Sequence, residues 1–217
     1  MWTKELFGTE KPIIALLHLD PLPGDPDFCG SLDTVIEHAS CDVKALQEGG
    51  VDGVLIANEF SFPMTYVSHT ETLMAMACVI GAIKKDIHVP FGTNVVMNPE
   101  ETIRMAKAVG ASFGRSAFAG AFTGTYGVHV NNFGENVRLK YALGIPEMKL
   151  LCKINPEGDV LLAEQSIEEI IDNVTLGDHV GAFCVSGPGA GQEASWDLLA
   201  HVCDLAKAKH VPVFCNT

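Results

Sequence analysis

Residues 11–26 read KPIIALLHLDPLPGDP. The run PIIALLH at 12–18 is almost wholly apolar, and it gives way to His18 and Asp20, then to Pro21, Pro23, Gly24 and Pro26. An apolar run without polar alternation is the pattern of a parallel strand covered on both faces. Proline stops it, because its ring fixes φ and it has no N–H to give to a ladder. Two ionisable side chains therefore stand where a buried strand becomes a loop.

The pattern recurs along the chain. DGVLIAN at 52–58, VPFGTNVV at 89–96, a weaker ASFGRSA at 111–117, MKLLCKI at 148–154, GAFCVSG at 181–187 and VPVFCN at 211–216 make seven runs in all. Helical spacing fills the intervals. In residues 31–50, Leu32, Val35, Ile36, Ala39, Val43 and Leu46 share one face, with Ser31 as cap and Gly49-Gly50 as stop. A second helix is predicted over 69–85. A third is capped by Asn98, with Pro99 in its first turn and Gly110 at its end. Further helices are expected near 134–144, 166–175 and 194–209, and 118–133 reads as a long loop.

Seven strands alternating with helices fit a doubly wound sheet or a (β/α)₈ barrel. The first strand opens into HLDPLPGDP with no GxGxxG turn, and polar groups end most strands. Both features favour a TIM-like (β/α)₈ barrel. The chain is read as one domain over 1–217 with seven strands visible. The eighth strand–helix unit is apparently missing, so the domain is expected to be C-terminally incomplete.

In such a barrel, function gathers at the C-terminal ends of the strands. His18, Asp20, Glu59 and Lys153 are the catalytic candidates there. His18 is suited to proton transfer near neutral pH, and Lys153 to an ion pair, an anion contact or an imine. Asn58, Asn94, Asn98, Arg115, Asn155, Ser186 and Asn216 are the substrate-binding candidates. Gly187, Gly189 and Gly191 of SGPGAGQ join them, because small residues let backbone N–H groups approach an anion. His129, in the segment GVHVNNFGEN, is a candidate for closing a pocket. No metal ligand set is assigned, since HExxH and compact Cys/His groups are absent. A divalent metal held by His18, Asp20 and Glu59 is kept as an alternative.

The chain of 217 residues is 47% hydrophobic and carries 14 basic against 27 acidic residues, a formal charge of −13. That balance argues against a nucleic-acid groove. Neither a signal-peptide core nor an 18-residue apolar span is seen, so membrane insertion is not expected and the cytoplasm is the expected compartment. Seven cysteines, an odd number without CxxC, read as mostly buried reduced thiols. A homo-oligomer is compatible with the composition.

KPIIALLHLDPLPGDP, VDGVLIAN, FGTNVVMN, ASFGRSAFAGAFTGTYG and VSGPGAG together resemble the BtpA/SgcQ family, from Lys11 to Asn216. The resemblance implies a TIM-like barrel lacking a C-terminal unit. Matches fall on His18, Pro21, Leu22, Pro23, Gly24, Asn58, Asn94, Asn98, Arg115, Lys153, Ser186 and Gly187. The chain departs from the family pattern at Ala57-Asn58-Glu59, where relatives often show Glu-Asn. It departs again at Gly124-Thr125-Tyr126-Gly127, where Thr-Asp-x-Gly is common, and at Asn155, where histidine is frequent. Some relatives are linked to photosystem I biogenesis, and others resemble proteins encoded beside sugar-uptake systems. The expected function is an enzyme acting on a phosphorylated sugar or related metabolite. The alternatives are a non-enzymatic assembly or regulatory protein and a metal-dependent hydrolase.

Overall fold

A computed structural model describes residues 1–189 and 191–216. It divides into two compact units, Met1–Gly114 and Arg115–Thr217.

The first unit begins with a short helix, α1 (Trp2–Phe7), that the sequence reading did not anticipate. Three strand–helix steps follow: β1 (Ile14–His18), α2 (Leu32–Glu48), β2 (Gly53–Ala57), α3 (Thr70–Ile83), β3 (Phe91–Asn94) and α4 (Pro99–Val109); β4 (Phe113–Ser116) begins in this unit and ends in the second. β1, β2, β3 and β4 pair in parallel in chain order. All five residues of β2 are buried, as an uninterrupted apolar run requires. Gly92 on β3 lies opposite Phe113 on β4, and a side chain there would collide with the Phe113 ring. The helices start where their caps say. The Ser31 hydroxyl accepts from the Thr34 N–H at 3.2 Å, and Asn98 Oδ1 accepts from the Glu101 N–H at 3.1 Å. Each cap satisfies a donor that the first turn leaves orphaned. Val35, Ala39 and Val43 of α2 and Ile103, Ala106 and Val109 of α4 are buried, on the faces their spacing marks.

The second unit holds β5 (Gly120–Gly124), β6 (Gly127–Asn131), α5 (Phe133–Ala142), β7 (Lys149–Lys153), β8 (Asp159–Leu161), α6 (Ile167–Val174), β9 (Ala182–Ser186), α7 (Trp196–Ala208) and β10 (Val213–Asn216). β9 pairs in parallel with both β7 and β10. The strand order is β1-β2-β3-β4-β7-β9-β10 in the large sheet and β6-β5-β8 in a small antiparallel one. The small sheet corrects the reading of 118–133 as a long loop. A tight turn at Thr125-Tyr126 folds β5 and β6 into a hairpin, and β8 adds along the other side of β5. α6 opens with a reciprocal cap, in which Ser166 and Glu169 each satisfy the other's backbone N–H.

The cysteine expectation is also corrected. Cys152 and Cys184 are buried, whereas Cys29, Cys41, Cys78, Cys203 and Cys215 are exposed. Cys29 lies in the loop before α2, and Cys41, Cys78, Cys203 and Cys215 lie on the uncovered sides of their elements, so apolar neighbours in sequence did not imply burial. No helix among the described residues is long and apolar enough to cross a membrane.

Candidate functional site

In the second unit the ends of four strands supply one polar network. Arg115, in the last half of β4, is only 6% exposed. Its guanidinium donates to Asn216 Oδ1 on β10 at 2.6 Å. The other end of the Asn216 amide donates to Glu157 Oε1 at 3.0 Å and to Ser186 Oγ at 3.2 Å. Lys153, the last residue of β7, forms an ion pair with Glu157 in the loop that follows. Asn155 clamps the end of β9: its Nδ2 donates to the Ser186 carbonyl at 2.7 Å, and its Oδ1 accepts the Ser186 N–H at 3.0 Å. Five of the sequence candidates, Arg115, Lys153, Asn155, Ser186 and Asn216, are thus joined through hydrogen bonds and one ion pair.

Burial by itself would raise the Glu157 pKa. The Lys153 charge and hydrogen bonds from Lys153 and Ser186 outweigh it and hold the carboxyl at about 2. Glu157 is therefore a fixed anion at neutral pH and has no proton to give. Cys184, in the middle of β9, is pushed up to about 11 by burial, although the Arg115 and Lys153 charges pull it down. It stays a thiol, which rules it out as a resting nucleophile. Arg115, Lys153 and Glu157 sum to one positive charge, on a chain whose total is −13.

A cavity of about 490 Å³ adjoins this network. Asn155, Glu157 and Ser186 form its polar side, and Phe122, Leu161, Ile170 and Leu198 its apolar side. A neighbouring cavity of about 250 Å³ shares Phe122, Leu161 and Ile170 and reaches Lys153 and Gln165. Gly187 belongs here for a steric reason, because a side chain would strike the Gln192 carbonyl. Gly189 accepts the Gln192 N–H in a turn at 3.1 Å, and Gly191 has φ +71°, a conformation glycine adopts freely. Ala190 of the same motif and Thr217 after β10 lie outside the described residues.

The first unit uses its candidates differently. Asp20 Oδ2 meets His38 Nδ1 at 2.6 Å on an exposed face, where such a pair is worth little. His18 ends β1 with its ring edge-on to Phe60, centroids 5.7 Å apart. Asn58 is 8% exposed; its Oδ1 accepts the Val96 N–H at 2.8 Å and its Nδ2 donates to Ser61 at 3.3 Å. Ser61 in turn donates to Asp25, which also takes the Leu22 N–H at 2.6 Å. Asn98 caps α4 and reaches Ser68 at 3.2 Å. Asn94 is buried at the end of β3, and Glu59 is half-buried just past β2. The HLDPLPGDP loop is thus stitched to its neighbours. Pro23 supplies a carbonyl to Thr72, and Asp25 anchors both Leu22 and Ser61. A cavity of about 190 Å³ lies beside Asn58, Ser61, Ser68 and His69. Among the described residues no three His, Cys, Asp or Glu side chains are placed to hold a metal ion, so His18, Asp20 and Glu59 do not form one ligand set.

Residue-type reasoning puts Glu157 at the rim after the β7 run without giving it a role, and it missed Asp159 entirely. Asp159 lines the larger cavity and faces His129, Nε2 to Oδ2 at 3.9 Å, on the inner side of the small sheet. Burial lowers the His129 pKa, partly offset by Asp159. The available signal for the sheet was the alternation in AFTG-TY-GVHV around a two-residue turn.

These strands and their order define a TIM-barrel-type α/β protein, with seven of the eight barrel strands present among the described residues. Solved structures agree. A dihydropteroate synthase from Xanthomonas albilineans, with 7,8-dihydropteroate, superposes at TM-score 0.61 and 18% identity, over 95% of this chain and 72% of that one. A putative dihydrodipicolinate synthetase from Pseudomonas aeruginosa reaches TM-score 0.58 at 18% identity, over 95% and 64%. At that identity the likeness concerns the fold alone. The chain belongs to the BtpA family, whose profile matches residues 9–217. It is 43% identical to the putative sgc region protein SgcQ of Escherichia coli (strain K12), over 93% of this chain and 76% of that one. It is 32% identical to the photosystem I biogenesis protein BtpA of Synechocystis sp., over 98% and 74%.

Proposed function

We propose that the chain is a small-molecule enzyme whose second unit binds a phosphorylated sugar or a related anionic metabolite. The observation that carries this reading is the pair of cations at the strand ends. Arg115 is joined through the Asn216 amide to Glu157, which lines the cavity of about 490 Å³, and Lys153 pairs with the same carboxylate and lines the neighbouring cavity. A planar fork of N–H donors matches a phosphate or carboxylate, and an ammonium beside it adds a second positive charge. In this reading Arg115 and Lys153 hold the anionic group, and Ser186 and Asn216 orient hydroxyl or carbonyl groups. Glu157 holds the Lys153 side chain in an ion pair, a geometry that suits anion binding better than imine formation. The reaction type is not assigned.

Isothermal titration with inorganic phosphate and with glucose 6-phosphate tests the reading. Binding of at least one probe, weakened tenfold or more in Arg115→Met while the melting temperature holds, is the expected result. Equal affinity in the variant and the wild type would remove Arg115 from the site. A second reading, an assembly protein without turnover, draws on the similarity to the Synechocystis photosystem I biogenesis protein. It predicts that neither phosphate binds and that a screen of phosphorylated sugars yields no product.

A further inference from the structure

The small sheet has two apolar faces, where a sheet with one solvated side normally alternates apolar with polar. Its register separates the faces. Phe122 pairs with His129 and with Leu161, and Gly124 with Asp159; this side turns inward and lines the cavities. The opposite side is built from Ala121 against Val130 and Thr123 against Val128 and Val160. Leu162 extends it, its N–H donating to the Ala121 carbonyl at 2.9 Å. Val130 is 74% exposed, Val160 64%, Val128 59% and Leu162 51%. No residue of this outer face is charged. The outermost strand, β6, reads GVHVN and has neither the lysine nor the proline that usually guards a sheet edge.

The geometry points to a second copy of this chain as the occupant of that face, packed about a two-fold axis. Three features select it over another partner. First, an uncharged apolar face can pack against a copy of itself, as an isologous contact requires. Second, each copy carries a formal charge of −13, so two copies repel except where charge is missing, and this face is such a place. Third, the exposed side chains, with Tyr126 at the turn, present on the order of 500 Å² in one patch. Two such patches meeting would remove about 1,000 Å², the lower bound for a specific interface. An interface of that size makes a weak, reversible dimer. Because the inner side of the same three strands lines the cavities, the partner copy would brace one cavity wall.

Sedimentation equilibrium from about 1 to about 200 µM reads the association directly. The wild type is expected to show a monomer–dimer equilibrium. Val130→Lys should weaken it at least tenfold with an unchanged melting temperature, since a surface change at such an exposed site barely affects folding. Leu176→Lys, equally exposed two residues past α6, should leave it unaltered. Raising salt from about 0.05 to 0.5 M should tighten the dimer by screening the repulsion. Should Val130→Lys perturb folding, Val160→Lys on the opposite edge strand repeats the test. A wild type that stays monomeric throughout overturns the proposal and leaves the face to another protein. A dimer indifferent to both lysine variants, or one loosened by salt, places the contact elsewhere and overturns it equally.

Discussion

The strand ends of the two units spend their polar residues in opposite ways. In the first unit nearly every bond described ties one loop to another. Asn58 holds Val96 and Ser61, Asp25 holds Leu22 and Ser61, and Asn98 starts a helix. In the second unit the same positions carry two buried or half-buried cations and a carboxylate, linked through one amide. An asparagine that satisfies backbone groups is a structural element whose removal is felt locally. A charge held away from water depends on its partners, so the loss of one member of this network is felt by the others.

The largest expected effect tests the charged end by pH. Glu157 has a folded pKa of about 2 against an ordinary 4.5. A depressed carboxyl stabilises the fold above its unfolded pKa, and that contribution disappears as pH falls through the window from 4.5 to 2. The loss is on the order of 3 kcal/mol. Urea titrations at successive pH values should show this slope, and Glu157→Gln should flatten it. An unchanged slope in the variant would assign the acid sensitivity to other carboxyls.

Next in size is Lys153→Met, which strands Glu157 without its cation. The pair is 19% exposed on each side, so the cost is about 2 kcal/mol, below that of a fully buried pair. Adding Glu157→Gln should recover much of it in a double-mutant cycle. Additive losses would mean the two side chains do not act as a pair.

The comparison sharpens at Asn58→Ala. Losing the acceptor for the part-buried Val96 N–H should lower stability by about 1 kcal/mol, seen in the urea midpoint. Phosphate binding should survive unchanged. Weakened binding with intact stability would move Asn58 to the functional side of the contrast. The smallest effect belongs to Asp20→Asn, which removes an exposed pair with His38. Thermal melts should shift by no more than corresponds to about 0.5 kcal/mol.

Sequence by itself determined the strand–helix alternation, because a doubly covered strand must be apolar throughout. IALLH, GVLIA and AFCVS all appear where their runs place them. Caps were legible for the same local reason: Ser31 and Asn98 bond within three residues of themselves. Five members of the polar network were legible from the rule that polar residues at strand ends meet at one rim. Tertiary structure alone decided how each is used. Lys153 and Glu157 are four residues apart, yet their pairing depends on the loop after β7 turning back. Arg115 and Asn216 are 101 residues apart and meet only because β4 and β10 flank the same two strands. The burial of some cysteines and the exposure of others, and the apolar outer face of β6, β5 and β8, likewise depend on which neighbours cover them. Pattern reports what a segment prefers locally; solvent exposure and long-range pairing are properties of the packed chain.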